Sequence, residues 1–239
     1  MASKHLTIVT HKTGGAIDQN SVLMDHVPDG DISYKLIKAA RYGTPMMKMG
    51  NGSPKVMITA GVHGNELPPQ IAALELLEYL DAENLNGTVY VVPFAVPNAT
   101  KNNSRRFKGF DMNRSAKKSG SATNKILMAT DTLGVLSLAD FHSTKPGSNP
   151  GIESVFCSKK PCSESVKIAK HITNATSSKV ICHKVAGALY GGALEDECNL
   201  KYIAAVTCEV LSENNLVRAG SVEASLRQMI SYLEYFDVV

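Results

Sequence analysis

The sequence predicts an α/β domain in which a mostly parallel mixed β-sheet is covered by helices on both faces. Three observations carry that expectation. Short β-like runs alternate with helical patterns along the chain, the signature of strand–helix–strand units. Gly and Pro punctuate those runs at Gly43-Thr-Pro45, Gly50-Asn-Gly52, Pro146 to Pro150 and Gly191-Gly192. The 239 residues, 44% hydrophobic and 20% charged, are enough to bury one sizeable core.

The elements follow in order. Leu6–Thr10 and Ile32–Leu36 read as β-like segments packed on the sheet edge. Val56–Ala60 reads as a buried strand. Asn65 is placed to cap a helix over Leu67–Leu80, whose first turn accommodates Pro68 and Pro69 because its N–H groups have no partners there anyway. Ile71, Leu74, Leu77 and Leu80 give that helix an apolar stripe. Thr88–Phe94 reads as a strand, Ser121–Thr132 as a helix and Val135–Phe141 as a strand. Ile152–Cys157 and Lys179–His183 read as strands flanking a helix at Ser163–Thr176. Ile203–Glu209 is a further strand. Ala219–Phe236 reads as an amphipathic helix with Val222, Leu226, Ile230 and Leu233 on one face. Residues 1–239 are read as one domain.

Composition excludes several function classes. A net charge of +3 and the absence of any long basic run argue against nucleic-acid binding. No stretch reaches the roughly 18 apolar residues of a membrane span. The N-terminal apolar run is too short for a signal peptide, which makes a cytoplasmic protein the expectation. Five widely spaced cysteines read as reduced, buried, small apolar residues rather than a disulfide framework.

The chemistry-bearing residues stand at predicted strand ends, where parallel sheets gather their active groups. His63 and Glu66 lie three residues apart at the exit of Val56–Ala60. One imidazole and one carboxylate aimed at one point suit Zn²⁺. His142 ends the run Val135–Phe141 and supplies a third ligand, with Asp140 two residues earlier as a supporting group. A hydrolytic site also needs a proton acceptor. Glu209 closes the apolar run Ile203–Cys208 and fills that role. Arg105, Arg106 and Arg114 fall within ten residues, and arginine pairs bidentately with carboxylates.

These motifs are His63-Gly-Asn-Glu66, Arg106 followed by Asn113-Arg114, Asp140-Phe-His142 and Thr207-Cys-Glu209. In that order they resemble the zinc carboxypeptidase superfamily, including its succinylglutamate desuccinylase and aspartoacylase branch, over about Tyr42–Phe236. The resemblance implies one Zn²⁺ on His63, Glu66 and His142, with Glu209 as proton shuttle. It implies Arg106 on the scissile carbonyl, and Asn113 and Arg114 on a substrate carboxylate.

The Arg106 to Asn113-Arg114 spacing resembles the deacylase branch, which usually carries a further β-rich C-terminal domain. Only 30 residues follow Glu209, an ending similar to the carboxypeptidase branch. The segment Tyr190–Asn199 resembles the glycine-bearing specificity loop of carboxypeptidases, so Tyr190, Leu194 and Glu195 are expected to line the pocket. Glu195, Asp196 and Glu197 form either a solvated acidic turn or a site favouring a basic group.

The leading expectation is a zinc amidohydrolase cleaving an amide near a free carboxylate, carboxypeptidase-like, acting on a small molecule or short peptide. An N-acyl amino acid deacylase is the second, and a non-catalytic metal-binding module is a remote third.

Overall fold

A computed structural model describes residues 3–239. Its elements in chain order are β1 (Lys4–Thr10), α1 (Ser21–Met24), α2 (Asp31–Ala40), β2 (Thr44–Asn51), β3 (Lys55–Ala60), α3 (Leu67–Ala82), β4 (Gly87–Val92), α4 (Pro97–Lys101), β5 (Arg106–Phe107) and β6 (Phe110–Asp111). There follow α5 (Ala122–Leu133), β7 (Ser137–Thr144), β8 (Ser154–Ser158), α6 (Glu164–Ala175), β9 (Lys179–His183), α7 (Leu194–Leu200), β10 (Ala204–Leu211) and α8 (Ser221–Tyr235).

Eight strands form one mixed sheet in the order β1-β2-β4-β3-β7-β10-β8-β9. The four central strands β4, β3, β7 and β10 run parallel. Antiparallel pairing enters on both flanks, at β1–β2 and β2–β4 on one side and at β8–β10 on the other. Hairpin β5–β6 stands apart as a two-stranded sheet. The predicted α/β architecture is the one found.

Successive side chains of a strand point to opposite faces, and the two cores separate on that rule. Val56, Ile58 and Ala60 of β3 join Ala139 and Phe141 of β7 and Val206 and Cys208 of β10 in a core covered by α2, α3, α6 and α8. The alternate residues Met57, Leu138 and Ala205 pack instead with Ile126 and Leu127 of α5 and Leu194 and Cys198 of α7. Asp140, His142 and Glu209 share this second face by the same alternation. The site therefore opens on the α5–α7 side.

Local chemistry explains the element boundaries. Ser121 caps α5 by accepting from the Asn124 N–H, and Gly134 ends it in the left-handed conformation at φ 67°. Three expectations are corrected here. Ile32–Leu36 is not β-like but lies within α2, because Ile32, Leu36, Ile37 and Ala40 recur at helical spacing and all turn inward. Thr44–Asn51 is a strand where only turn signals were read. Its Pro45 stands at the strand start, ahead of the β4 pairing that begins at Met47, so the missing N–H costs nothing there. Asn65 does not cap α3; the N-cap position is Glu66, whose carboxylate is committed elsewhere.

Candidate active site

The loop after β3 carries the first two site residues. Gly64 is required there by close approach: a Cβ would stand 1.9 Å from the Ala99 carbonyl carbon of α4. The loop is also tied by the Gly64 N–H donating to the Ser104 carbonyl at 2.9 Å. These contacts fix His63 and Glu66, both buried, at the mouth of the sheet.

β7 delivers His142 to the same point. His63 Nδ1 lies 2.8 Å from Glu66 Oε1, and His142 Nδ1 lies 2.8 Å from Glu66 Oε2. The two rings stand 5.0 Å apart, centroid to centroid. One ligand atom from each of His63, Glu66 and His142 lies within 4.8 Å of the others. Each ring turns its far nitrogen to a carboxylate: His63 Nε2 to Asp111 Oδ1 at 2.8 Å, and His142 Nε2 to Asp140 Oδ2 at 2.9 Å. Carboxylate-backed imidazoles of this kind are the usual support of a metal ligand. Thr59, the register partner of Asp140 on β3, donates to Asp140 Oδ1 at 2.6 Å and holds that carboxylate in turn.

The electrostatics fit a cation. Burial opposes a charged His142 ring, but Asp140 and Glu66 outweigh it and raise its pKa well above the ordinary value. His63 is raised in the same way, burial being overcome by Glu66 and Asp111. Burial would raise Glu66, yet His63 and His142 hold its carboxyl well below the usual range. Both shifts favour positive charge where the three ligand atoms converge, the charge that a dication would bring. Two imidazoles and one carboxylate, buried, convergent and backed by further carboxylates, are a donor set suited to Zn²⁺.

Glu209 sits beside the triad because β10 pairs with β7 in a register that sets Glu209 against His142. Its Oε2 is shut off from solvent with no hydrogen-bond partner. Burial is the largest influence on this carboxyl and pushes its pKa up to about 8, with the His142 charge working against it. His63, Glu66 and Glu209 line a cavity of about 390 Å³, with His142 buried directly behind Glu66. Arg105, Asn113, Arg114, Tyr190 and Glu195 also line it.

Arg105, and not the expected Arg106, reaches the triad: its Nη1 donates to Glu66 Oε1 at 3.0 Å and its Nη2 to Asp111 Oδ2 at 3.4 Å. Arg106 is spent within the hairpin: it opens β5, and its guanidinium donates to the Gly109 carbonyl at 3.1 Å on the exposed surface.

Asp111 Oδ1 also accepts the Asn113 N–H at 2.9 Å, capping the 3₁₀ turn Met112–Arg114. The Arg114 guanidinium lies over the Tyr190 ring, 4.9 Å from its centroid. Asn113 Oδ1 accepts from the Leu194 N–H at 3.3 Å. Gly192, at φ 90°, lets its loop lie directly on the Arg114 backbone.

Tyr190–Asn199 is therefore only half a loop, since α7 begins at Leu194. Leu194 is a correction: it is fully buried in the α5–α7 core and does not line the cavity. Its neighbour Glu195 does line it, 4% exposed beside the buried Asp196. Burial first, and then Asp196, raise the Glu195 pKa well above the ordinary value. Glu197 turns away and accepts the Gly192 N–H at 2.9 Å. The acidic run is thus no solvated turn.

Sequence reasoning named Arg105 within the arginine cluster without giving it the place beside the triad, and it missed Thr59 and the Asp111–His63 contact. A signal existed for the last: Asp111 stands two residues before Asn113, in a segment already singled out.

Residues 52–149 match the succinylglutamate desuccinylase/aspartoacylase catalytic domain family. Solved structures with the same fold include three of note. One is a succinylglutamate desuccinylase/aspartoacylase from Rhodobacter sphaeroides, 18% identical over 83% of this chain and 61% of that one, with a TM-score of 0.63. Another is the ectoine utilization protein from Ruegeria pomeroyi, 17% identical over 83% and 63%, with a TM-score of 0.64. A metallo-carboxypeptidase from Burkholderia cenocepacia is 15% identical over 80% and 60%, with a TM-score of 0.60. No curated protein matches the chain. The chain spans about three fifths of the length of the structures it resembles. The fold is carboxypeptidase-like. No helix among the described residues is long and apolar enough to cross a membrane.

Proposed function

We propose that the protein is a zinc-dependent amidohydrolase that cleaves an amide bond near a free carboxylate, in the manner of a carboxypeptidase. One observation carries the reading: two members of a buried His63–Glu66–His142 triad, His63 and Glu66, line one cavity with Arg114 and with Glu209, whose Oε2 has no hydrogen-bond partner among the described residues. His63, Glu66 and His142 would hold one Zn²⁺. The ion would supply Lewis acidity to the scissile carbonyl and acidify the attacking water.

The protein's own groups supply the rest. Glu209 takes a proton from the attacking water and passes it to the leaving nitrogen, a role that a half-buried carboxylate with an unpartnered oxygen can fill. Arg105 stands beside the triad and faces the charge that develops on the carbonyl oxygen. Asn113 and Arg114 grip the substrate carboxylate, with Tyr190 packed under the Arg114 guanidinium. Glu195, which lines the same cavity with Asp196 buried beside it, faces a basic group on the substrate.

A second reading, an N-acyl amino acid deacylase, draws on the match of residues 52–149 to the desuccinylase/aspartoacylase domain. Zinc-loaded protein assayed against short peptides and against N-acyl amino acids, each with lysine or norleucine beside the scissile bond, separates the two. Peptide turnover with lysine preferred supports the leading reading, and acyl amino acid turnover alone supports the second. Inertness toward both, or no zinc uptake on titration, overturns the enzyme reading in favour of a non-catalytic module.

A further inference from the structure

β9 is the outermost strand of the sheet and pairs only with β8. It is five residues long and none of the five is fully buried. A short open edge is the part of a sheet most prone to fray and to pair with other chains.

Two cysteines lie side by side across this weak pair. Cys157 of β8 and Cys182 of β9 are register partners in a parallel ladder, so their side chains share a face. Neighbouring strands stand about 4.8 Å apart, inside the Cα separation of roughly 4.4–6.8 Å that a disulfide spans. Cys157 is buried and Cys182 is exposed. Burial, and then the neighbouring Cys182, hold the Cys157 thiol above its ordinary pKa, while the ammonium of Lys170 on α6 acts in the opposite sense. One accessible thiol, one resolving thiol behind it and a nearby cation form the arrangement of an oxidisable dithiol.

The pair also stands clear of the candidate active site. Val155 and Cys157 face the core covered by α6, whereas Phe156 between them lines the cavity.

We propose that Cys157 and Cys182 form a reversible disulfide that staples the edge strand β9 to the sheet when the protein meets a hydroperoxide. The Cys182 thiolate attacks a peroxide oxygen; an S–O bond forms, the O–O bond breaks and hydroxide leaves. The Cys157 thiol then attacks that sulfur; the S–S bond forms, the S–O bond breaks and water leaves with the Cys157 proton. The two thiols lose two electrons and one peroxide becomes two waters.

The test uses the folded full chain treated with dilute hydrogen peroxide and then blocked with a thiol reagent. The expected result is a loss of two hydrogens, a fall in free thiols from five to three and a peptide linking residues 157 and 182. Closing a loop of about 25 residues should raise Tm by about 5–10 °C, and dithiothreitol should reverse every change. Cys182→Ser, at an exposed position, should abolish the link and the Tm shift, and Cys162→Ser should keep both. The proposal is overturned if the link joins Cys182 to Cys162, if it forms only between two chains, or if oxidation stops at a sulfur oxyacid on Cys182.

Discussion

Removing Asp111 should weaken zinc binding without touching a ligand. Its Oδ1 accepts from both His63 Nε2 and the Asn113 N–H, and its Oδ2 faces Arg105. Asp111→Asn keeps an acceptor for His63 and for the cap but loses the charge. Asp111→Ala loses all three contacts. Loss of a carboxylate behind a ligating imidazole typically costs ten- to a hundredfold in metal affinity, or about 1.4–2.7 kcal/mol. The Ala variant should fall in the upper half of that range and the Asn variant in the lower half. Only the Ala variant should also raise KM, because it alone frees the turn that carries Asn113 and Arg114. A chelator-competition titration gives the zinc Kd, and steady-state kinetics on zinc-saturated protein gives KM. A Kd unchanged within twofold in Asp111→Ala would refute the idea that this carboxylate orients His63.

Four further outcomes follow from the same geometry. Glu209→Gln should bind zinc normally and lose about 10²–10⁴ in kcat; near-normal turnover would remove Glu209 from proton transfer. Arg105→Ala should lower kcat by about tenfold or more, while Arg106→Ala should leave it unchanged; the reverse pattern would restore the role that the family resemblance implies for Arg106. Leu194→Ala should destabilise the protein by about 2–5 kcal/mol in urea unfolding with KM unaltered, and a changed KM with intact stability would return Leu194 to the cavity wall. In zinc-free protein His142 has a folded pKa above its unfolded value of about 6.5, so its stabilisation is complete below that pH and is lost as pH rises through the raised value. Glu209, raised to about 8, acts in the same direction. Tm of chelated protein should therefore fall as pH rises from about 6.5 to 8, the range in which both groups act, and a flat profile would count against the charged-ring arrangement.

Much of this was legible in the sequence, for identifiable reasons. The central strands β3, β4, β7 and β10 are buried on both faces and read as continuous apolar runs, so the residues at their ends, His63, His142 and Glu209, could be picked out. The choice between Arg105 and Arg106 was not legible, since adjacent arginines at the edge of a two-residue strand offer no periodicity. Ile32–Leu36 misled because a five-residue window holds barely more than one helical turn, while the stripe that marks α2 extends to Ala40. The acidic run at Glu195–Glu197 looked like surface because charge is usually solvated. What buries it is tertiary, the packing of Leu194 and Cys198 under α5.

The two-sided sheet also has a consequence for how such a chain can change over time. On β7, Ala139 and Phe141 serve one core, while Asp140 and His142 between them serve the site. Stability and chemistry are thus written on interleaved letters of the same strand. Substitutions on the α3–α6–α8 face can be tuned for robustness while the cavity keeps its geometry. Substitutions on α7 and the hairpin can redirect specificity without touching that foundation. A one-residue slip of β7 would exchange the two sets at a stroke, so insertions should be tolerated in the loops but not within that strand.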